Sequence, residues 1–276
     1  MSAATALPKG AVDGALPASK YHLTFGRALR SEFIKFRTVR STVWSLAITL
    51  VVLVGLATLF AAIFRANVDD IGMTGAEAAT TPIVTGVGFG QLVLAVLGAL
   101  TITGEYSTGM IRSTFSAVPT RTPALVAKAV VVVVASLVVS AVATAITVGI
   151  ITPILSGSPI ALDLSDADVL RVVVGTPLYL AGIALLALAL GILIRNSAGA
   201  IFGVIGLVLV INPILTGIPV KWVNDWAQYL PSAAGQQLLT VHPTSDPAPW
   251  IGLLVLLAWG VVLFGIGVVL AKKRDA

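Results

Sequence analysis

Cysteine is absent from the chain. That removes disulfides, zinc-thiolate sites, haem thiolates and thiol nucleophiles at once. Charge is scarce as well. Asp, Glu, Lys and Arg make up 11% of the 276 residues, against about 25% in soluble domains. Six apolar runs, at residues 43–64, 83–104, 129–154, 172–194, 198–217 and 250–271, contain no Asp, Glu, Lys, Arg or His. Ion-coupled carriers keep an ionisable side chain at membrane depth to hold the coupling ion. Its absence counts against an ion-driven pump or antiporter, although sodium sites built of backbone carbonyls stay open.

Catalytic signatures are missing too. There is no H-E-x-x-H, no G-x-S-x-G and no embedded aspartate pair. No Lys follows a Gly, so there is no G-K-[ST] phosphate loop. The two histidines, His22 and His242, fall on opposite sides in the topology below and cannot share a metal. No metal site is expected, and nothing points to nucleic acid.

What is present is apolar length. The chain is 57% hydrophobic, with mean hydropathy +1.02. Each run is long enough, at about 1.5 Å per helical residue, to cross a hydrocarbon core of about 30 Å. The expectation is an all-α polytopic membrane protein with six transmembrane helices. Pro153, Pro177 and Pro213 are expected to break or bend the third, fourth and fifth.

Six crossings put both termini on one side. With that side inside, every Lys and Arg lies inside except Arg65, Arg171 and Lys221. The positive-inside rule then gives an N-in/C-in protein. Residues 1–22, rich in Ala, Gly, Pro and Ser, read as a disordered cytoplasmic tail. Residues 23–276 form the membrane domain.

Segment 23–41 has Phe25, Leu29, Phe33, Phe36 and Val39 on one helical face. Arg27, Arg30 and Arg37 fall near the opposite face, with Lys35 and Arg40 at its flanks. This reads as an amphipathic helix in the membrane interface, its basic side toward lipid phosphates. Glu32 projects into the apolar stripe, and a carboxylate there needs a partner. Two alternatives stand: Lys35, three residues on, or another segment of the chain.

Segment 105–128 is a polar, basic interruption holding Glu105, Arg112, Arg121 and Lys128. Gly109 and Pro119 bracket a short helix. Segment 218–249, with Trp222, Trp226 and Tyr229, reads as one or two short interfacial or re-entrant helices broken at Pro231. Asp163, Asp166 and Asp168 suggest a cation site less well than a capping box, with Ser165 as N-cap. Gly199 and Gly203 give a small-residue spacing that favours close helix approach.

Three local stretches together resemble the permease subunit of type-2 ABC transporters, a family of bacterial exporters. SEFIKFR (31–37) followed by STVW (41–44) is similar to the elbow helix leading into the first span. EYSTGMIR (105–112), then VPTR (118–121) and Lys128, resembles the first cytoplasmic loop. YLPS (229–232) resembles the outer segment before the last span. The likeness covers residues 23–271.

The resemblance implies a subunit of the bacterial cytoplasmic membrane that dimerises with a second permease copy or homologue. It binds no cofactor itself; ATP and magnesium sit on a partner ABC ATPase. It further implies that a coupling helix in 105–121 docks on that ATPase. Glu105, Tyr106, Thr108, Gly109, Met110, Ile111, Arg112, Phe115, Pro119 and Arg121 are its candidate residues. Arg27, Arg30, Glu32, Lys35 and Arg37 of the elbow are expected to assist. Met110, Ile111 and Phe115 would fill an apolar groove of the ATPase, and Glu105 would pair with Arg112 or with elbow basics. Arg121 and Lys128 either dock or anchor helix ends by snorkelling. The uncharged spans suit an amphiphilic, lipid-like or drug-like cargo, but no substrate-binding residue is legible. The competing reading is an ATP-independent carrier or channel, or a structural subunit of a larger membrane complex.

Overall fold

The computed structural model describes residues 24–70, 72–243 and 247–273. The expected tail at 1–22 lies outside them. Among the described residues every regular element is helical.

α1 (Phe25–Thr38) ends where Val39 turns extended, and α2 (Arg40–Ala66) begins at once. α3 (Gly75–Ser107), α4 (Met110–Ala117), α5 (Thr122–Leu155) and α6 (Ala167–Ile194) follow. A broken span then runs Ser197–Thr216: α7 (Ser197–Ile205), a π-turn at Gly206–Val210, and α8 (Ile211–Thr216). α9 (Lys221–Ala227), α10 (Pro231–Gln236), a 3-10 turn (Gln237–Leu239) and α11 (Pro249–Lys273) complete the order. Six helices are long and apolar enough to cross a membrane.

α6 is the most deeply buried span and Ser197–Thr216 the least. α3 and α11 pack on α6. Close packing, not water exclusion, holds apolar helices together in lipid, so small residues mark these contacts. A Cβ at Gly98 would stand 2.5 Å from the Ala184 carbonyl. One at Gly260 would stand 3.1 Å from Leu185. Gly199 and Gly203, by contrast, face Ile194 of the preceding helix across a tight turn. Their spacing closes the α6–α7 hairpin.

The prolines act differently from one another. α5 and α6 run through Pro153 and Pro177 without interruption. Only the fifth span breaks. Pro213 has no N–H for the Leu209 carbonyl, and the turn before it widens to a π-turn, with Ile211 N–H on Gly206 O. α5 also begins seven residues before its apolar run, with Pro123 in the first turn.

Between the last two spans, α9 leaves Trp222 and Trp226 exposed, while α10 turns inward. Ser232, Ala234, Gly235 and Leu238 are buried against α6 and α11. Tyr179, fully buried on α6, donates to Gln91 Oε1 of α3 at 2.6 Å, and Gln236 Nε2 reaches the Tyr179 hydroxyl at 3.5 Å. That pairing satisfies polar groups that would otherwise be stranded in an apolar interior.

The expected capping box at Ser165 is not formed. Asp166 is the N-cap of α6, accepting from Asp168 N–H at 2.8 Å. Asp168 pairs with Arg171 at 2.5 Å, and Arg171 also donates to the Thr240 and Val241 carbonyls. The three aspartates are thus used in turn and helix-start geometry. Among the described residues no group of three or more acids and histidines could hold a metal.

Candidate functional site

Gly109 starts the site. It takes φ +74, a left-handed conformation natural to glycine, and it ends α3 and opens α4. The chain folds back, so α4 lies against the end of α3. Val118 to Arg121 form a tight turn, with Arg121 at φ 57, and α5 departs. Because α5 starts so early, Lys128 sits in its second turn. On α1, Ala28, Glu32 and Phe36 are the buried positions, spaced four apart. The face turned to the bundle therefore carries the carboxylate. Phe25 and Phe33 of the apolar stripe stay exposed.

These four elements bring together Glu32, Lys35, Glu105 and Lys128. Lys128 Nζ lies 2.5 Å from Glu32 Oε2 and 2.8 Å from Glu105 Oε1. Lys35 Nζ lies 2.7 Å from Glu32 Oε1 and 3.2 Å from Glu105 Oε1. Lys35 also contacts the Thr114 hydroxyl of α4 at 3.0 Å, and that hydroxyl lies 3.5 Å from Glu105 Oε2. Two ammonium groups and two carboxylates balance formally. Glu32, Glu105 and Lys128 are each 3–4% exposed; Lys35 is half-buried. Desolvating four charges is expensive, and their mutual attraction repays it only because every carboxylate has partners. Burial pulls the Lys35 pKa down, but the bond to Glu32 and the charges of Glu105 and Glu32 outweigh it. The net result lies above the ordinary 10.5.

A cavity of about 270 Å³ opens beside this quartet. Its walls include Phe36, Thr42, Leu97, Thr101 and Val131 with the four charged residues. Its lining thus mixes charged, hydroxyl and apolar side chains.

Further contacts gather at the same end of the bundle. Arg121 stacks over the Phe115 ring at 5.0 Å and donates to the Ala271 carbonyl in the last turn of α11. A helix end has orphan carbonyls, and a cation there also meets the negative pole of the helix. Arg195, left-handed at the α6–α7 turn, lies 5.2 Å from the Tyr106 ring. Ser197 donates to Thr103 at 3.0 Å.

The sequence-level candidates sort cleanly. Glu32 has both of its alternatives: Lys35 nearby and Lys128 from a distant segment. Glu105 pairs with Lys35 of α1 and with Lys128, and Arg112 is not among its partners; Arg112 points outward. Lys128 does not snorkel from a helix end, because it is drawn inward by two carboxylates. Ile111 and Phe115 are buried in the protein's own core, unlike the groove-filling role expected of them. Met110, Thr108, Arg112 and Pro119 are exposed, as are Arg27, Arg30 and Arg37. Tyr106 is half-buried, and its hydroxyl has no hydrogen-bond partner among the described residues. Sequence reasoning missed Thr114 and the pairing role of Lys128. The available signal was balance: an acid inside an apolar stripe and an acid at a span end require buried cations.

No protein-family model matches the chain, and no curated protein matches it.

Proposed function

We propose that this chain is the membrane-spanning permease subunit of an ATP-driven exporter resembling the type-2 ABC class. It lies N-in/C-in in the bacterial cytoplasmic membrane, with α1 in the interface as the elbow. The quartet Glu32–Lys35–Glu105–Lys128 carries this reading. It joins α1, the end of α3 and the start of α5 through ion pairs at one end of the bundle, and the Thr114 hydroxyl ties the loop helix α4 to Lys35 and Glu105. A push on α4 from a partner therefore reaches three other elements without passing through flexible chain. A contiguous network of ion pairs and hydrogen bonds between rigid helices is a physical route for coupling between sites.

The surface for the partner is then narrower than the loop as a whole. Thr108, Met110, Arg112 and Pro119 face outward, whereas Ile111, Phe115 and Glu105 hold the loop in shape. The ATPase and a second permease copy or homologue are separate subunits. The uncharged spans suit an amphiphilic cargo.

The experiment is purification of the tagged chain from its native membrane in mild detergent, with mass spectrometry of what accompanies it. An ABC ATPase in near-equal amount is the expected result, and Met110→Arg should remove it while the permease stays folded. A chain that comes down alone, and stays alone after crosslinking in nanodiscs, overturns the reading in favour of an ATP-independent carrier.

A further inference from the structure

On the far side of α1 from the quartet, a groove of about 700 Å³ runs between α1, α2 and α5. This is within the range of about 300–1,000 Å³ seen for small-molecule sites. Its walls are almost wholly apolar. Phe33, Val43, Val134 and Val138 line it and remain at least half exposed, so none of the other described residues covers them. Two guanidiniums, Arg30 and Arg37, stand at its edge. They are seven residues apart, two turns on one side of α1, or about 10 Å along the axis. Neither has an ion pair or hydrogen bond among the described residues. Glu32, the acid nearest in sequence, is turned to the opposite side and used by Lys35 and Lys128.

We infer that this groove is a binding site for one anionic phospholipid, an acyl chain lying along α2 and α5 and the phosphate held by Arg30 and Arg37. An apolar trough beside two guanidiniums that have no ion pair among the described residues is complementary to an amphiphile with a negative head. Guanidinium forks hold phosphate oxygens in pairs. A zwitterionic lipid offers the same chains without the net charge. Phe36 and Val131 line both this groove and the cavity beside the quartet. The bound chain thus braces α1 from behind and keeps Glu32 seated against Lys128.

The test uses the full chain, reconstituted in vesicles of equal phosphatidylglycerol and phosphatidylcholine and released in mild detergent for native mass spectrometry. One phosphatidylglycerol retained per chain, in preference to phosphatidylcholine, is expected for the wild type. Each arginine near an anionic head contributes roughly fivefold. The Arg30→Gln/Arg37→Gln double variant should therefore lose retention by about 25-fold, while Lys221→Gln, on α9, keeps it. Val134→Trp, which fills the groove and leaves both arginines, should also displace the lipid. Equal retention of the two lipids by the wild type overturns the proposal and needs no variant. So does undiminished retention in the double variant. Displacement of the lipid by millimolar inorganic phosphate would mark the arginines as a free-anion site and overturn it as well. None of these outcomes depends on whether an ATPase partner exists.

Discussion

Lys128 Nζ stands 2.5 Å from Glu32 Oε2, across ninety-six positions of sequence, with both side chains buried. Glu105 completes the arrangement from a third helix at 2.8 Å. The start of α5 is thereby fastened to α1 by charge, in surroundings where charge is costly to strand.

The first prediction follows from that cost. Lys128→Met leaves two buried carboxylates sharing Lys35. Removing one partner of a buried pair destabilises by about 3–5 kcal/mol. Lys128→Met/Glu105→Gln, which restores the balance, should recover a large part of the loss. Unfolding of the purified variants in detergent measures both. A single variant within about 0.5 kcal/mol of wild type, the level of an ordinary surface substitution, would show that the quartet contributes little.

A second prediction concerns pH. The folded pKa of Lys35 is raised above 10.5 by Glu32 and Glu105 against the effect of burial. A raised folded pKa means that its contribution is complete below 10.5 and is lost as pH climbs through the folded value. The melting temperature should therefore be insensitive to this group from pH 7 to 9, in the range where it stays charged in both states. It should fall above pH 10.5. Lys35→Arg, always charged, should push that fall higher. An unchanged alkaline limb in Lys35→Met and Lys35→Arg alike would count against the assignment.

Gly109 carries the third. Its φ of +74 is strained for any side chain, yet no atom lies within 4 Å of where a Cβ would be. The penalty of Gly109→Ala is then purely conformational, about 1–2 kcal/mol. Gly109→Asn should cost less, since Asn tolerates the left-handed region. In the proposed function, transport should follow the same order. Thermal unfolding of both variants beside a transport assay decides it.

The fourth prediction separates packed from open glycines. A Cβ at Gly252 of α11 would collide with the Ala234 carbonyl of α10. Gly252→Ala must push α10 away from the bundle and should cost about 1–3 kcal/mol. At Gly55 and Gly88 a Cβ meets nothing. Alanine there should be neutral or stabilising by a few tenths to about 1 kcal/mol. A single set of melting curves compares the three.

Six helices were readable from hydropathy because spanning helices must be apolar along their whole length, whatever they pack against. The polar loop at 105–128 and the odd acid at Glu32 were readable for a related reason: a charge among apolar residues demands an explanation. Proline was a weaker guide. Three were expected to disturb their helices, and only Pro213 did so at the level of helix type. A lost hydrogen bond can be absorbed by neighbours in a packed span such as α6, but not in the least buried one.

Tertiary structure alone decided how the charges pair. Sequence alone offers Glu105 either Arg112, seven residues away, or the basic residues of α1; the structure pairs it with Lys35 of α1 and with Lys128, twenty-three residues away, which the sequence did not single out as a partner. Which cation faces the carboxylate depends on the turn at Gly109 and on α5 beginning at Thr122 rather than at the apolar run. The turn rotates Arg112 outward while Ile111 and Phe115 go in. The early start of α5 draws Lys128 inside. Both are consequences of backbone direction, and composition carries no information about direction.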